Sequence, residues 1–208
     1  AVRQSFDMTD DHPVEVRITG SALLNALGGR VGDVAVEVPQ VTVLEGVAVT
    51  VTATAQALPF DILARPMAAA NASVTVPADQ LGAVIALVTS GVATTGEVRD
   101  GELLIGRDLD LFGATVPLEV SLAVAIDAGD LEVAPMSIGA GGLDLTAAQI
   151  RQYSGSAWDG VLQAHTVCVR DRLPVGVVLT DLVLSSTGAV TVTAALAPDI
   201  MSNPEQQQ

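Results

Sequence analysis

The chain has 208 residues, with 24 acidic residues against nine cations and a formal net charge of −15. Such acidity excludes nucleic-acid binding, which needs a basic surface to release counterions, and excludes broad electrostatic adhesion to anionic membranes. All the cations are arginines, and because screening confines each charge to about 10 Å, a local arginine site for a single phosphate survives the objection.

In chain order, Ala1 to Pro13 reads as a flexible polar segment. Its Asp7, Asp10, Asp11 and His12 are better read as a solvated tail than as a metal cluster, since a hard-cation site needs ligands fixed by turns. A strand–helix–strand pattern then recurs three times. In VEVRITGSALLNALGGRV, Val14, Val16 and Ile18 alternate, Ser21 or Thr19 is placed to cap a helix, and Leu23, Leu24 and Leu27 fall on one face before Gly28 and Gly29. In ASVTVPADQLGAVIALVTSG, Pro77 opens a helix whose Leu81, Val84, Ile85 and Val88 line one side. In GGLDLTAAQIRQYSG, Thr146 is placed to cap a shorter, more polar helix.

Long runs of period two follow each helix, punctuated by Gly46, Asp100–Gly101, Gly113, Ala128–Gly129 and Thr187–Gly188. Aromatic residues make up only 2% of a chain that is half hydrophobic, so apolar volume comes from Val, Leu, Ile and Ala. The fold class is therefore α+β, a mostly antiparallel sheet with two to three amphipathic helices on it. Residues 14–200 form a single domain, and Met201 to Gln208 reads as a disordered tail.

Within these strands the apolar parity is long. Val116, Leu118, Val120, Leu122, Val124 and Ile126 share one side, and Val47, Val49, Val51, Ala53 and Ala55 share another. Two helices cover only part of such faces. Either a second sheet fills the remainder as a sandwich core, or another chain or a ligand meets it.

Catalytic equipment is sparse. SGSAWDG around Ser156 lacks a nucleophile elbow's spacing, and GAGGLD at Gly139 lacks a dinucleotide fingerprint. Cys168, the one cysteine, reads as a small apolar group. With only His12 and His165 a histidine metal site is not supported, nor is an Asp159–His165 dyad. Asp108 and Asp110 read as solvated strand residues rather than a glycosidase pair, and Asn71–Ala72–Ser73 is a bare glycosylation sequon. These readings favour a binding module over an enzyme, with no cofactor and no metal. No stretch reaches the roughly 18 apolar residues of a spanning helix.

The closing segment HTVCVRDRLPVGVVLTDLVLSSTGAVTVTAALA resembles that of the LmeA-like phospholipid-binding proteins of actinobacterial cell envelopes. The likeness rests on Cys168, Leu173, Pro174, Gly176, Val177, Leu179, Thr180 and Leu182. The leucine-rich helix followed by Gly29, Arg30, Asp33, Val34 and Val36 is similar too, as is ASVTVPADQLGAVI. The Pro-Phe entry that precedes the first helix in that family is missing, although Leu58–Pro59–Phe60 comes later.

The resemblance implies an exported, envelope-associated protein whose elongated, curved sheet and helices enclose a lipid groove, similar to tubular lipid-binding modules. It implies phospholipid as the partner, with membrane contact that is transient or made through a removed N-terminal anchor, and a supporting role in envelope lipid or lipoglycan metabolism. On this reading Leu23, Leu24, Leu27, Leu81, Val84, Ile85 and Val88 line the groove from the helices. Leu118, Val120 and Leu122 continue it on one strand. Leu179 and Leu182 join if the chain is irregular at Thr180–Asp181. Arg30, Arg170 and Arg172 are the head-group candidates, arginine being the better fork for phosphate. The alternative is a structural β module with a fully packed core and no lipid.

Overall fold

The computed structural model describes residues 13–42, 46–111, 113–154 and 159–207. Its strands are β1 (Glu15–Thr19), β2 (Arg30–Thr42), β3 (Ala48–Pro59), β4 (Ala69–Val76), β5 (Thr95–Arg99), β6 (Glu102–Leu111), β7 (Ala114–Asp127), β8 (Asp130–Ala140), β9 (Leu143–Thr146), β10 (His165–Val167), β11 (Val177–Leu184) and β12 (Val190–Leu196). Four helices interrupt them among the described residues: α1 (Ala22–Leu27), α2 (Ala78–Val88), α3 (Ala147–Ser154) and the single turn α4 (Asp159–Leu162).

The strands form two open six-stranded sheets rather than the one expected sheet. The first runs β1-β2-β3-β4-β12-β11, and the second β10-β8-β7-β6-β5 with β9 also paired to β8. The division falls at Pro77, whose extended backbone (ψ 158) ends the first meander and opens α2. Strands β5 to β10 then pair among themselves. The closing hairpin, turned at Ser185–Ala189 with a 2.9 Å backbone bond, adds β12 to the edge of β4.

The chain divides into two compact units. Unit 1 comprises Ala1–Thr75, Arg170–Thr180 and Val192–Gln208, and unit 2 comprises Val76–Val169 and Asp181–Thr191.

Turn chemistry fixes register. Asp100 (φ 54) with Gly101 (φ 81), and Ala128 (φ 49) with Gly129 (φ 87), are both left-handed at both central positions. They close two-residue hairpins between Arg99 and Glu102 and between Asp127 and Asp130, because mirror-image turns match the strand twist. In unit 1 a bulge between Val38 and Val41, with Gln40 at φ 54, keeps both valines on one side despite their odd spacing. Both are buried, as are Val47 and Val49. This cluster is the tightest part of the protein, since Val41 alone among the described residues is a large side chain shut off from solvent.

Thr146 caps α3 through a reciprocal pair. Its Oγ1 accepts from the Gln149 N–H at 3.2 Å, while Gln149 Oε1 accepts from the Thr146 N–H at 2.9 Å, which is a capping box. Ser21 holds the N-cap position of α1 but makes no side-chain cap bond. At the C-terminus the expected disordered tail is instead hydrogen-bonded. Pro204–Gln207 forms a 3-10 turn, Asn203 Nδ2 donates to Asp199 at 3.2 Å, and the Gly176 N–H donates to the Gln206 carbonyl at 2.9 Å. Short polar side chains that satisfy nearby backbone groups hold this segment without a hydrophobic core.

Candidate functional site

Unit 2 presents a long, mostly aliphatic wall, interrupted on β6 by the exposed Arg107 opposite Leu118. Direct register partners share a face, so the pairs Leu103–Leu122, Ile105–Val120 and Leu109–Val116 continue into Val120–Ile138, Val124–Val133 and Ile126–Leu131. On β7 the apolar parity Val116 to Ile126 is half-buried along its length. A bulge at Met136 separates Ser121–Ser137 from Leu122–Pro135. It lies in β8, so the parity of β7 is unbroken.

Helix α2 covers the β5 edge of this wall. Gly96 pairs with Ile105, and a Cβ there would lie 2.7 Å from Ile85 Cγ1 and 3.2 Å from Leu81 Cγ. The glycine is needed for that close approach. Leu81 is accordingly buried at 3% exposure, while Val88 on the same helix is 75% exposed. Leu81 therefore packs the helix onto the sheet, and its substitution would test folding rather than ligand uptake. Val84 and Ile85 are half-buried.

The opposite face of this sheet is polar. An open depression of about 320 Å³ is lined there by Arg99, Glu119, Ser121, Ser137 and Asp144, among others, and by none of the expected groove residues. Glu97 accepts from Arg99 at 2.9 Å and, chiefly through that hydrogen bond, raises the arginine's pKa. Ser121 donates to Glu102. This depression joins fixed opposite charges above a solvated face, so it suits water better than hydrocarbon.

Unit 1 has smaller side chains on its apolar face. Val34 and Val36 pair with Ala55 and Ala53, which in turn pair with Ala70 and Ala72. On the edge strand, Val16 and Ile18 remain exposed. Leu23, Leu24 and Leu27 are 70%, 69% and 79% exposed on the six-residue α1, which buries none of its residues. The amphipathic pattern read in the sequence is thus present, but its apolar side meets no packing partner within unit 1. On β11 the burial alternation slips by one at Thr180–Asp181, leaving both Leu179 and Leu182 half-buried.

The three head-group candidates Arg30, Arg170 and Arg172 are exposed at ends of unit 1 strands that share one rim of the sheet, as its antiparallel order dictates. A fourth arginine was missed by sequence reasoning. Arg65 joins Arg30 around an open depression of about 420 Å³ with Gly28, Gly29, Pro59 and Met67. The guanidinium of Arg65 reaches 3.8 Å from where a Gly29 Cβ would stand, and Arg30 Nε reaches 3.7 Å from that of Gly28. Neither arginine has an ion-pair partner among the described residues. The signal that could have found Arg65 is its place in a Pro-flanked loop, LPFDILARPM, between strands.

Candidate chemistry stays scattered. Cys168 is exposed, His165 is exposed on β10, and Asp108 and Asp110 are exposed on β6. No three His, Cys, Asp or Glu side chains gather as a metal site among the described residues. Asp7, Asp10, Asp11, His12, Ser156 and the side chain of Asp159 lie outside the described ones. None of the described helices is long and apolar enough to cross a membrane.

No curated protein and no solved structure matches this sequence. A sequence model of the LmeA-like phospholipid-binding family matches residues 1–195. With the two aliphatic sheet faces and the arginine rim in place, the chain belongs to the LmeA-like phospholipid-binding family.

Proposed function

We propose that the protein is a non-catalytic phospholipid carrier of the cell envelope, holding acyl chains against its aliphatic strands and supporting envelope lipid or lipoglycan metabolism. The observation behind this reading is the half-buried wall of β6, β7 and β8, where Leu, Ile and Val side chains line a sheet on which α2 is seated at the β5 edge. Walls with almost no aromatic ring suit disordered hydrocarbon, because they impose no preferred stacking geometry.

The energetics fit reversible carriage. Two acyl chains with about 30 methylenes gain roughly 24 kcal/mol on leaving water, at about 0.8 kcal/mol each. A bilayer offers them nearly the same gain, so the net preference between protein and membrane is small. Leu118, Val120, Leu122, Leu179 and Leu182 are the wall residues assigned to acyl contact, with Leu23, Leu24, Leu27, Val84, Ile85 and Val88 contributed by the helices. Export to the envelope belongs to the same proposal.

The test is organic extraction and mass analysis of protein purified from its own host, alongside native mass spectrometry. Co-purified phospholipid in stoichiometric amount is the expected result. A lipid-free protein in a stable oligomer would sink the carrier reading and favour the structural module.

A further inference from the structure

The rim of unit 1 gathers features that the wall alone does not explain. Four segments meet there, stitched by backbone bonds. The Phe60 N–H donates to the Gly29 carbonyl at 3.2 Å, Met67 N–H to Pro198 at 2.8 Å, Ala197 N–H to Gly176 at 2.7 Å, and Gly176 N–H to Gln206 at 2.9 Å. The rim thus comprises α1 with Gly28–Arg30, the loop 59–68, the segment 170–176 and the segment 197–207. All belong to unit 1.

Two properties coincide on it. It displays large apolar side chains with no cover: Leu23, Leu24, Leu27, Phe60, Leu63 and Val175 are each 61–79% exposed. It also balances its charges, so the net −15 of the chain lies entirely elsewhere. Arg30, Arg65, Arg170 and Arg172 stand with four acids, Asp61, Asp171, Asp199 and Glu205, which leaves five arginines against twenty acidic residues elsewhere in the chain (nine and twenty-four in all). Asp199 is already engaged by Asn203.

We infer that this rim is a docking surface for the interface of an anionic phospholipid bilayer. The apolar side chains enter the boundary between head groups and acyl chains, and Arg30 and Arg65, either side of their 420 Å³ depression, take a lipid phosphate. Interfacial binding of this kind combines buried apolar area with attraction to anionic head groups. The strongly acidic remainder of the protein does not prevent it, since at physiological ionic strength a charge is screened within about 8 Å. That acidity instead disfavours every other face and so orients the molecule on the surface. A protein partner would need the same leucines to meet a shaped groove, whereas exposed leucines beside two arginines that line one depression match a fluid, phosphate-bearing interface.

The inference rests on phospholipid as the ligand class, and its test separates docking from carriage. Full-length protein is sedimented with vesicles of phosphatidylglycerol and phosphatidylcholine in equal parts, and with vesicles of phosphatidylcholine alone. The variants are Phe60→Ser with Leu63→Ser, and Arg30→Gln with Arg65→Gln. All four side chains are exposed, and circular dichroism confirms that the fold is kept.

Wild type is expected to bind the anionic vesicles and to release with salt. The arginine variant should bind them about thirtyfold more weakly, two charges at about 1 kcal/mol each near an anionic surface, with a smaller loss on neutral vesicles, whose head groups also carry a phosphate. The apolar variant should weaken on both. Lipid cargo, extracted and weighed from the same preparations, should be the same in wild type and in the apolar variant, since neither Phe60 nor Leu63 is assigned to the cargo wall. Folded variants that sediment like wild type would overturn the inference, and so would a wild type that ignores anionic vesicles at physiological ionic strength. Docking that persists in a protein without cargo would remove the carrier reading alone and leave the rim assignment standing.

Discussion

The two units use the same alternating strands with side chains of different size, and the difference decides what each face is for. In unit 1 the central face is Val on β2 against Ala on β3 and β4, and it closes at one end into Val38, Val41, Val47 and Val49, all buried. In unit 2 the face is Leu, Ile and Val across β6, β7 and β8, and most of it stays half-exposed. The Val–Ala stretch is itself half-buried apart from Ala70, so this face of unit 1 excludes solvent mainly at its valine end. The larger side chains of unit 2 stay half-buried along the whole parity of β7, apolar surface that remains to be met by something else.

The sharpest way to break that comparison is a pair of charges. Val41→Asp places a carboxylate at a site 2% exposed with nothing to pair it. It should cost about 4 kcal/mol or more and abolish the folded state at room temperature. Leu118→Asp, on the half-buried parity of β7, should leave a cooperative thermal transition but no bound lipid. If both variants unfold alike, the wall of unit 2 is ordinary core, and the distinction between the units collapses.

A smaller effect is expected where unit 2 does close. Gly96→Ala sets a methyl 2.7 Å from Ile85 and 3.2 Å from the Leu81 carbonyl, so α2 must shift from β5. Overpacking of this kind costs about 1–3 kcal/mol, read as a lowered urea midpoint with the slope unchanged. An unaltered midpoint would mean that α2 rides loosely on the sheet and that cover at this edge is adjustable.

What was legible in the sequence was local. The parity of β7 followed from period two, the Asp100–Gly101 and Ala128–Gly129 turns from their residue types, and the cap at Thr146 from its position before the helix. The slip in β11 was legible only as a condition, since Leu179 and Leu182 share a side only if the strand is irregular between them. What escaped was pairing between distant segments. Nothing near β12 signals that it will lie beside β4, so the split into two sheets was not read. The rim stayed hidden for the same reason: Arg65 joins Arg30, and Arg170 and Arg172 share their edge, only because the sheet order brings four separate connections together. For α1, hydrophobic periodicity suggested burial, yet periodicity reports which residues share a side, not whether a partner exists for that side.

The mildest prediction concerns the hairpin that joins the two longest strands of unit 2. Ala128 sits at φ 49, before Gly129 at φ 87, so its Cβ crowds the following carbonyl, a conformation that alanine tolerates poorly and asparagine far better. Asp100–Gly101 meets the same geometry with a residue suited to it. Ala128→Asn should therefore raise stability by about 0.5–1 kcal/mol without changing lipid content, since the turn touches neither wall nor rim. A stabilised variant with unchanged cargo would show that strand pairing in unit 2 can be tightened while its aliphatic face stays open. A variant that gains stability but loses cargo would mean that the wall must flex at this end to admit its ligand, and the half-buried face would then be a moving part rather than a fixed surface.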